Sequence, residues 1–348
     1  MSEMGLDVTL IGRKKNNSIP VSPQNFTVKR LRLLFEKGPL FYLLLNARLF
    51  LVLLFSRVDG IYANDLDTLL PAFLVGKIKR IPIIYDSHEI FTEVPELTNR
   101  PFKKGIWTWV EKRIFKRLST IITVNQSIAD HYENLYGKEL HVIRNISSHI
   151  PNSELIEKNK NPETFTLIIQ GSGLNVDRGI EEAVLAMKEI RNAKLLLVGD
   201  GDVLPKVKSI VEKEKLVDKV HLIGRLPYHE MMRYTQTADL GLSLDKPTSK
   251  NYTFSLPNKV FDYIHANTPI IASNLPEIKR IVDRYNCGVL IDEVTPKAIA
   301  LHVNALLSNP NQLQSLKDNC KEASKHENWA KEAEKLKIII SQGFNFKH

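Results

Sequence analysis

The chain has 348 residues, of which 43% are hydrophobic and 25% charged, which excludes a disordered polymer or a fibre and leaves room for two domains of ordinary size. Its net charge of +9 is unevenly placed: residues 1–150 carry 21 basic and 14 acidic side chains, and residues 151–348 carry 27 and 25. Two cysteines, Cys287 and Cys320, and no leader pattern at Met1 argue against a disulfide-framed secreted protein and for a cytoplasmic one.

In chain order, the first residues read as the tail of a helix stopped by Gly5, then a strand over 8–12. Residues 28–37 (VKRLRLLFEK) read as basic surface. Residues 39–55 form the most apolar stretch, but Asn46 and Arg48 sit at its middle. The arginine alone would cost a spanning helix about 2.5–3.5 kcal/mol, and the run falls short of ~20 apolar residues, so a buried or surface-docked helix is expected. Short β-branched runs follow at 59–63, 81–85, 120–124 and 140–143. Residues 103–117 interleave Trp107, Trp109, Ile114 and Phe115 with Lys103, Lys104, Lys112, Arg113, Lys116 and Arg117. That pattern suits an interfacial helix on anionic lipid, or an ordinary amphipathic helix with its aromatics in the core. The basic face comes with no nucleic-acid-binding motif, so nucleic acid is not an expected partner.

Residues 145–162 are polar and carry Asn, Ser and Pro, as a linker does. After them the pattern restarts, with strands expected over 165–169, 194–198, 219–223, 239–243, 269–273 and 287–291, separated by helix-length segments. This alternation predicts an α/β protein with two parallel sheets covered by helices. The expected divisions are a first domain over 1–150, a second over 163–325, and a C-terminal helix in 326–348 packing back toward the first.

The second half holds the residues with chemical character. Gly171 and Gly173 lie between a strand and a helix, followed by Arg178. Such a turn lets backbone N–H groups approach a phosphate, and an arginine fork suits that anion, although strand-to-helix turns are also glycine-rich for steric reasons. The acidic pair in Gly199-Asp200-Gly201-Asp202 reads as turn chemistry rather than a metal site. Arg225 follows the 219–223 strand at the carboxyl edge of the sheet, where open α/β sheets bind ligands. In Ser255-Leu256-Pro257-Asn258-Lys259 the proline is placed to open a helix, with Ser255 a cap candidate. Lys259 then falls in the first turn, where a cation is disfavoured unless an anion binds there. Asp262 lies three residues on, on a neighbouring part of the same face. A cation and a carboxylate so arranged suit a nucleotide; a surface ion pair is the alternative.

The ordered series QGSGLNVDRG, LLLVGDGD, HLIGRLP, ADLGLS, SLPNKVFDYIHANTPIIAS and LPEIKRIV resembles the second domain of family 4 retaining glycosyltransferases. Asp86-Ser87-His88-Glu89 and Asn64-Asp65 look like that family's His-containing and acceptor loops. The resemblance implies the GT-B fold, two Rossmann-like domains facing across a cleft. It implies transfer of a sugar from a UDP- or GDP-sugar to a carbohydrate or lipid-linked acceptor hydroxyl, with retention, in surface polysaccharide or glycolipid synthesis, and no cofactor or metal. By position, Arg178 and Lys259 would hold the donor diphosphate, Ser255, Leu256, Pro257 and Asn258 would cradle the phosphates, and Asp262 would hold the ribose. Gly171, Gly173 and Arg225 would line the donor site. His88 would act across the cleft, with Asn64, Asp65 and Glu89 on the acceptor side. Asp65-Leu66-Asp67 reads as acceptor-loop and helix-capping residues.

The sequence departs from the family at three places. The first acidic residue of the usual pair would fall at Phe254, the second is Asp262 rather than Glu, and the leading strand, glycine loop and helix of the first domain are expected to be missing. A catalytically inactive binding or regulatory shell is therefore the alternative, and an epimerase or phosphorylase on the same fold a third. The basic N-terminal half suggests peripheral contact with anionic membrane, at the inner face of the plasma membrane.

Overall fold

The computed structural model describes residues 1–16, 18, 20–94, 97, 100–147 and 164–344. It contains two compact units, Met1–Arg144 with Ala333–His348, and Asn145–Glu332. Most of the expected linker, residues 148–162, lies outside the described residues.

The first unit opens with a 3-10 turn at Ser2–Met4, closed by Gly5 in the left-handed region at φ 77°. Strands β1 (Thr9–Lys14) and β2 (Thr27–Arg32) then pair in parallel, with Thr9 opposite Thr27 and Lys14 opposite Arg32. Residues 28–37 were expected to be basic surface, so β2 is a correction. Its alternation buries only Leu31, because a two-stranded sheet has a single covered face. Helix α1 (Pro39–Phe55) supplies that cover, with Phe41, Leu45 and Leu49 packed on Leu31. The two polar residues in its apolar run tie it to its neighbours. Asn46 Nδ2 donates to the Tyr42 and Asp67 carbonyls, and the Arg48 guanidinium donates to the Arg32 carbonyl. Among the described residues no helix is long and apolar enough to cross a membrane.

The main sheet of this unit is parallel, in the order β3 (Ile61–Asn64), β4 (Ile83–Ser87), β5 (Thr120–Thr123), β6 (His141–Val142). Helices α2 (Leu66–Lys79), α3 (Pro101–Phe115) and α4 (Gln126–Tyr136) connect the strands. In α3, Ile114 and Phe115 are core, and Phe115 stacks on Tyr132 with ring centroids 4.7 Å apart. Glu111 is also buried, holding the Tyr136 and Tyr132 hydroxyls at 2.6 and 3.3 Å. Trp109, Phe102 and Ile106 are instead exposed, and Arg113 lies 5.6 Å from the Trp109 ring centre. The helix thus divides its aromatics between core and surface. The last helix of the chain, Trp329–Gly343, contributes Leu336, Ile339 and Ile340 to a cluster with Ile84, Ile122, Met1 and Met4.

The second unit is a six-stranded parallel sheet in the order β12-β11-β10-β7-β8-β9: β7 is Phe165–Gly171, β8 Ala193–Gly199, β9 Val220–Gly224, β10 Leu240–Ser243, β11 Ile270–Ser273 and β12 Gly288–Ile291. Helices cover both faces. Leu167 and Ile169 of β7 enter one core, and Ile168 between them enters the other, as period-2 alternation in a doubly covered sheet requires. Strand order reverses between β7 and β10. The carboxyl ends of these two neighbours form the switch point where open sheets of this kind bind ligands.

Candidate functional site

At that switch point the second unit holds a cavity of about 800 Å³. One wall begins at the end of β7. Gly171 has φ 149°, a conformation reserved for glycine, and turns the chain into the 172–178 loop. The loop rests on the next strand end. A Cβ on Gly199 would lie 1.8 Å from the Gly171 carbonyl oxygen, and one on Gly201 2.0 Å from that of Leu174. The acidic pair of the Gly-Asp-Gly-Asp turn serves the same loop. The Asp200 carbonyl accepts from Leu174 N at 2.8 Å, and Asp202 Oδ1 accepts from Val176 N at 3.0 Å.

The facing wall is the helix Asn258–His265. Its residues Val260, Phe261, Tyr263 and Ile264 are core. The Tyr263 hydroxyl hydrogen-bonds the Leu242 and Ile168 carbonyls at 3.1 and 3.3 Å, so one side chain pins this helix under β7 and β10 together. The face three residues apart is left for Lys259 and Asp262, and both line the cavity. Both are nearly buried, Lys259 at 8% and Asp262 at 5% exposure. Burial lowers the Lys259 pKa, opposed by the nearby Asp245 and Asp262 carboxylates, while the Arg178 cation lowers it further. Burial likewise raises the Asp262 pKa, offset by the hydrogen bonds it accepts. Those come from Ser147 Oγ at 2.7 Å and Tyr228 OH at 2.8 Å on Oδ1, and from Gln170 Nε2 at 3.0 Å on Oδ2. A carboxylate offers about four acceptor positions. Three are filled, so one remains for a ligand hydroxyl.

Of the residues expected at a donor site, Gly171, Gly173, Arg178, Arg225, Pro257, Asn258, Lys259 and Asp262 line this one cavity. Ser255 and Leu256 stand back from it. Ser255 is not a cap, because Pro257 holds the N-cap position without a side-chain bond; its hydroxyl donates instead to Asp245 at 3.3 Å, and Leu256 packs on the core. Sequence reasoning did not single out Ser147, Gln170, Tyr228 or Asp245. Gln170 directly precedes the glycine turn, and that adjacency was the available signal. Ser147 fell inside the supposed linker.

In the first unit the expected acceptor-side residues gather at the carboxyl ends of β3 and β4, where Asn64 pairs with Asp86. Asp65 occupies the N-cap of α2 but makes no capping bond. Its Oδ1 accepts from His88 N at 3.1 Å instead, which corrects the reading of Asp65 as a helix cap. His88 Nε2 lies 3.3 Å from Asp86 Oδ2, which also accepts from Tyr62 OH at 2.6 Å. The His88 pKa is raised, chiefly by that hydrogen bond with Asp86. Asp67, half-buried near Asp65, has its pKa pushed up to about 6, mainly by loss of solvent. Glu89 is exposed, and its carbonyl accepts from Ser87 Oγ at 2.9 Å.

Parallel sheets sandwiched by helices, with a glycine-turned cavity at a switch point, define a protein of the Rossmann-like α/β class. The chain belongs to the glycosyltransferases: residues 151–326 match the model of glycosyl transferases group 1, and residues 1–146 match that of glycosyltransferase family 4. No curated protein matches it. Among solved structures it is similar to sucrose-phosphate synthase from Thermosynechococcus elongatus, at 18% identity and TM-score 0.74, over 98% of this chain and 90% of that one. WaaG, a glycosyltransferase involved in lipopolysaccharide biosynthesis, is similar at 14% identity and TM-score 0.72, over 98% and 93%. HepE of Anabaena, solved with UDP and glucose, is similar at 17% identity and TM-score 0.72, over 91% and 87%. The fold is GT-B, with two Rossmann-like domains.

Proposed function

We propose that the chain is a retaining glycosyltransferase that moves a sugar from a UDP- or GDP-sugar to a hydroxyl of a carbohydrate or lipid-linked acceptor, in surface polysaccharide or glycolipid synthesis. The observation that carries this reading is the meeting of Arg178, Lys259 and Asp262 in one cavity at the switch point. The solved complex of HepE with UDP and glucose supports a nucleoside diphosphate as the ligand. Retention is carried by the family resemblance alone.

In this reading the bond from the anomeric carbon to the diphosphate breaks with charge building on the leaving oxygens. Lys259 and Arg178 meet that charge, and the start of the helix Asn258–His265 adds its backbone N–H groups. These cations do the work a divalent ion does elsewhere, so no metal or cofactor belongs to the reading. The remaining acceptor position on Asp262 takes a ribose hydroxyl. His88, its pKa raised by Asp86, serves the transferred sugar and the acceptor, with Asn64, Asp65 and Glu89 beside it.

The test is binding of UDP and GDP to the full chain by calorimetry, followed by donor turnover with NMR of the product anomer. Micromolar binding of one nucleotide and release of sugar in the donor's anomeric configuration is the expected result. No binding of either at millimolar concentration would favour the inactive shell.

Association with anionic membrane forms part of the proposal, at the inner face of the plasma membrane. Leu40, Leu43, Leu51 and Phe55 of α1 are 52%, 65%, 51% and 81% exposed, and at 100° per residue they fall within an arc of about 120°. An exposed apolar stripe on a unit whose charge is basic suits a lipid surface. Co-sedimentation with phosphatidylglycerol vesicles should exceed that with phosphatidylcholine vesicles and fall on Leu43→Asp or Phe55→Asp. Equal sedimentation of the variants and the native chain would sink this part.

A further inference from the structure

We infer that Asp245 is the counter-ion of the diphosphate site, the positioning residue that fixes Arg178 and balances the two cavity cations while no phosphate is bound. The inference rests on the proposed reading of the cavity as a nucleoside-diphosphate site.

Asp245 lies two residues beyond the end of β10, at the switch point, and is fully buried. Its Oδ2 takes Arg178 Nη1 at 2.8 Å and Ser255 Oγ at 3.3 Å. Its Oδ1 is buried with no hydrogen-bond partner among the described residues. A buried carboxylate left half unpaired is costly, so a structure that keeps one needs its charge.

The backbone is shaped to bring the pair together. Gly179, at φ 68°, lies so close to the end of β10 that a Cβ there would sit 2.4 Å from the Leu244 carbonyl oxygen. Lys246 N donates to the Asp177 carbonyl at 2.9 Å, clipping the two segments on either side of the ion pair. Arg178 is held on its face as well, 4.9 Å from the Tyr252 ring centre. Nη1 on Asp245 and one face near Tyr252 hold the guanidinium in the orientation in which it lines the cavity.

The consequence for Lys259 is electrostatic. Three charged groups act on it: Arg178 from the glycine loop, Asp245 from just beyond β10 and Asp262 from its own helix. Asp262 is already engaged by three donors. The carboxylate that offsets Arg178 and sustains the buried ammonium is therefore Asp245.

The test is the affinity of the full chain for UDP between pH 7 and 9, in the native chain and in Asp245→Asn, which keeps shape and removes charge. Burial and Arg178 already lower the Lys259 pKa and Asp245 opposes them, so removing Asp245 lowers it further and makes binding that needs the ammonium more sensitive to rising pH. Asp245→Asn should lose more affinity for UDP between pH 7 and pH 9 than the native chain does, and adding Lys259→Arg, which cannot discharge, should remove that excess loss. Parallel profiles for Asp245→Asn and the native chain would overturn the inference, since a packing role lowers affinity equally at every pH. If Asp245→Asn does not fold, Asp245→Ser repeats the measurement with the same two outcomes. Failure of the native chain itself to bind UDP would instead overturn the nucleotide reading, and this inference with it.

Discussion

Lys259→Ala should lower kcat/KM for the sugar-nucleotide donor by about 10²- to 10³-fold, the range seen when a single preorganised group facing developing charge is removed. The physical reason is its position. The ammonium is almost out of water, 8% exposed, and lines the same cavity as Arg178 and Asp262, where a unit charge acts with little screening. The fold should survive the change, because burying an ammonium opposes folding. A steady-state assay with a thermal melt checks both halves. Full activity in a well-folded Lys259→Ala chain would remove Lys259 from the site.

The second large effect is structural. Gly199→Ala should destabilise the second unit by about 3 kcal/mol or more, the range for backbone strain combined with a steric clash. Gly199 has φ 147°, and its added methyl would meet the Gly171 carbonyl oxygen at 1.8 Å. Neither atom is a movable side chain, so β7 and β8 would have to part at the very end that forms the glycine turn of the cavity. Urea denaturation followed by Trp fluorescence measures the loss, and nucleotide affinity should fall with it. A Gly199→Ala chain as stable as the native one would mean that the two strand ends can separate at no cost.

These two residues also mark where sequence reasoning reached the structure and where it stopped. All six strands of the second unit were legible, because a parallel strand covered on both faces is written as an unbroken apolar run. Phe165–Gly171 and Ile270–Ser273 begin within a residue of expectation. Strand Thr27–Arg32 was not legible. It buries one side chain, and three of its six residues are basic, so its pattern is that of a solvated face. In the site, Arg178, Lys259 and Asp262 could be found because glycines, a helix start and a three-residue spacing surround them locally. Asp245 carries no such local sign. Its partner is 67 residues away, and what joins them is the missing side chain of Gly179. Ser147 likewise meets Asp262 across 115 residues, a pairing that only tertiary structure can make.

The return of the last helix to the first unit has a consequence for synthesis on the ribosome. Leu336, Ile339 and Ile340 share a cluster with Met1, Met4 and Ile84, so the part of the protein made first is the part finished last. The intervening unit, residues 145–332, contains its own sheet and both of its cores and needs nothing further downstream. A chain released before residue 333 should therefore carry a closed second unit and an N-terminal sheet with one apolar face still open to water, the state in which a chaperone is most needed.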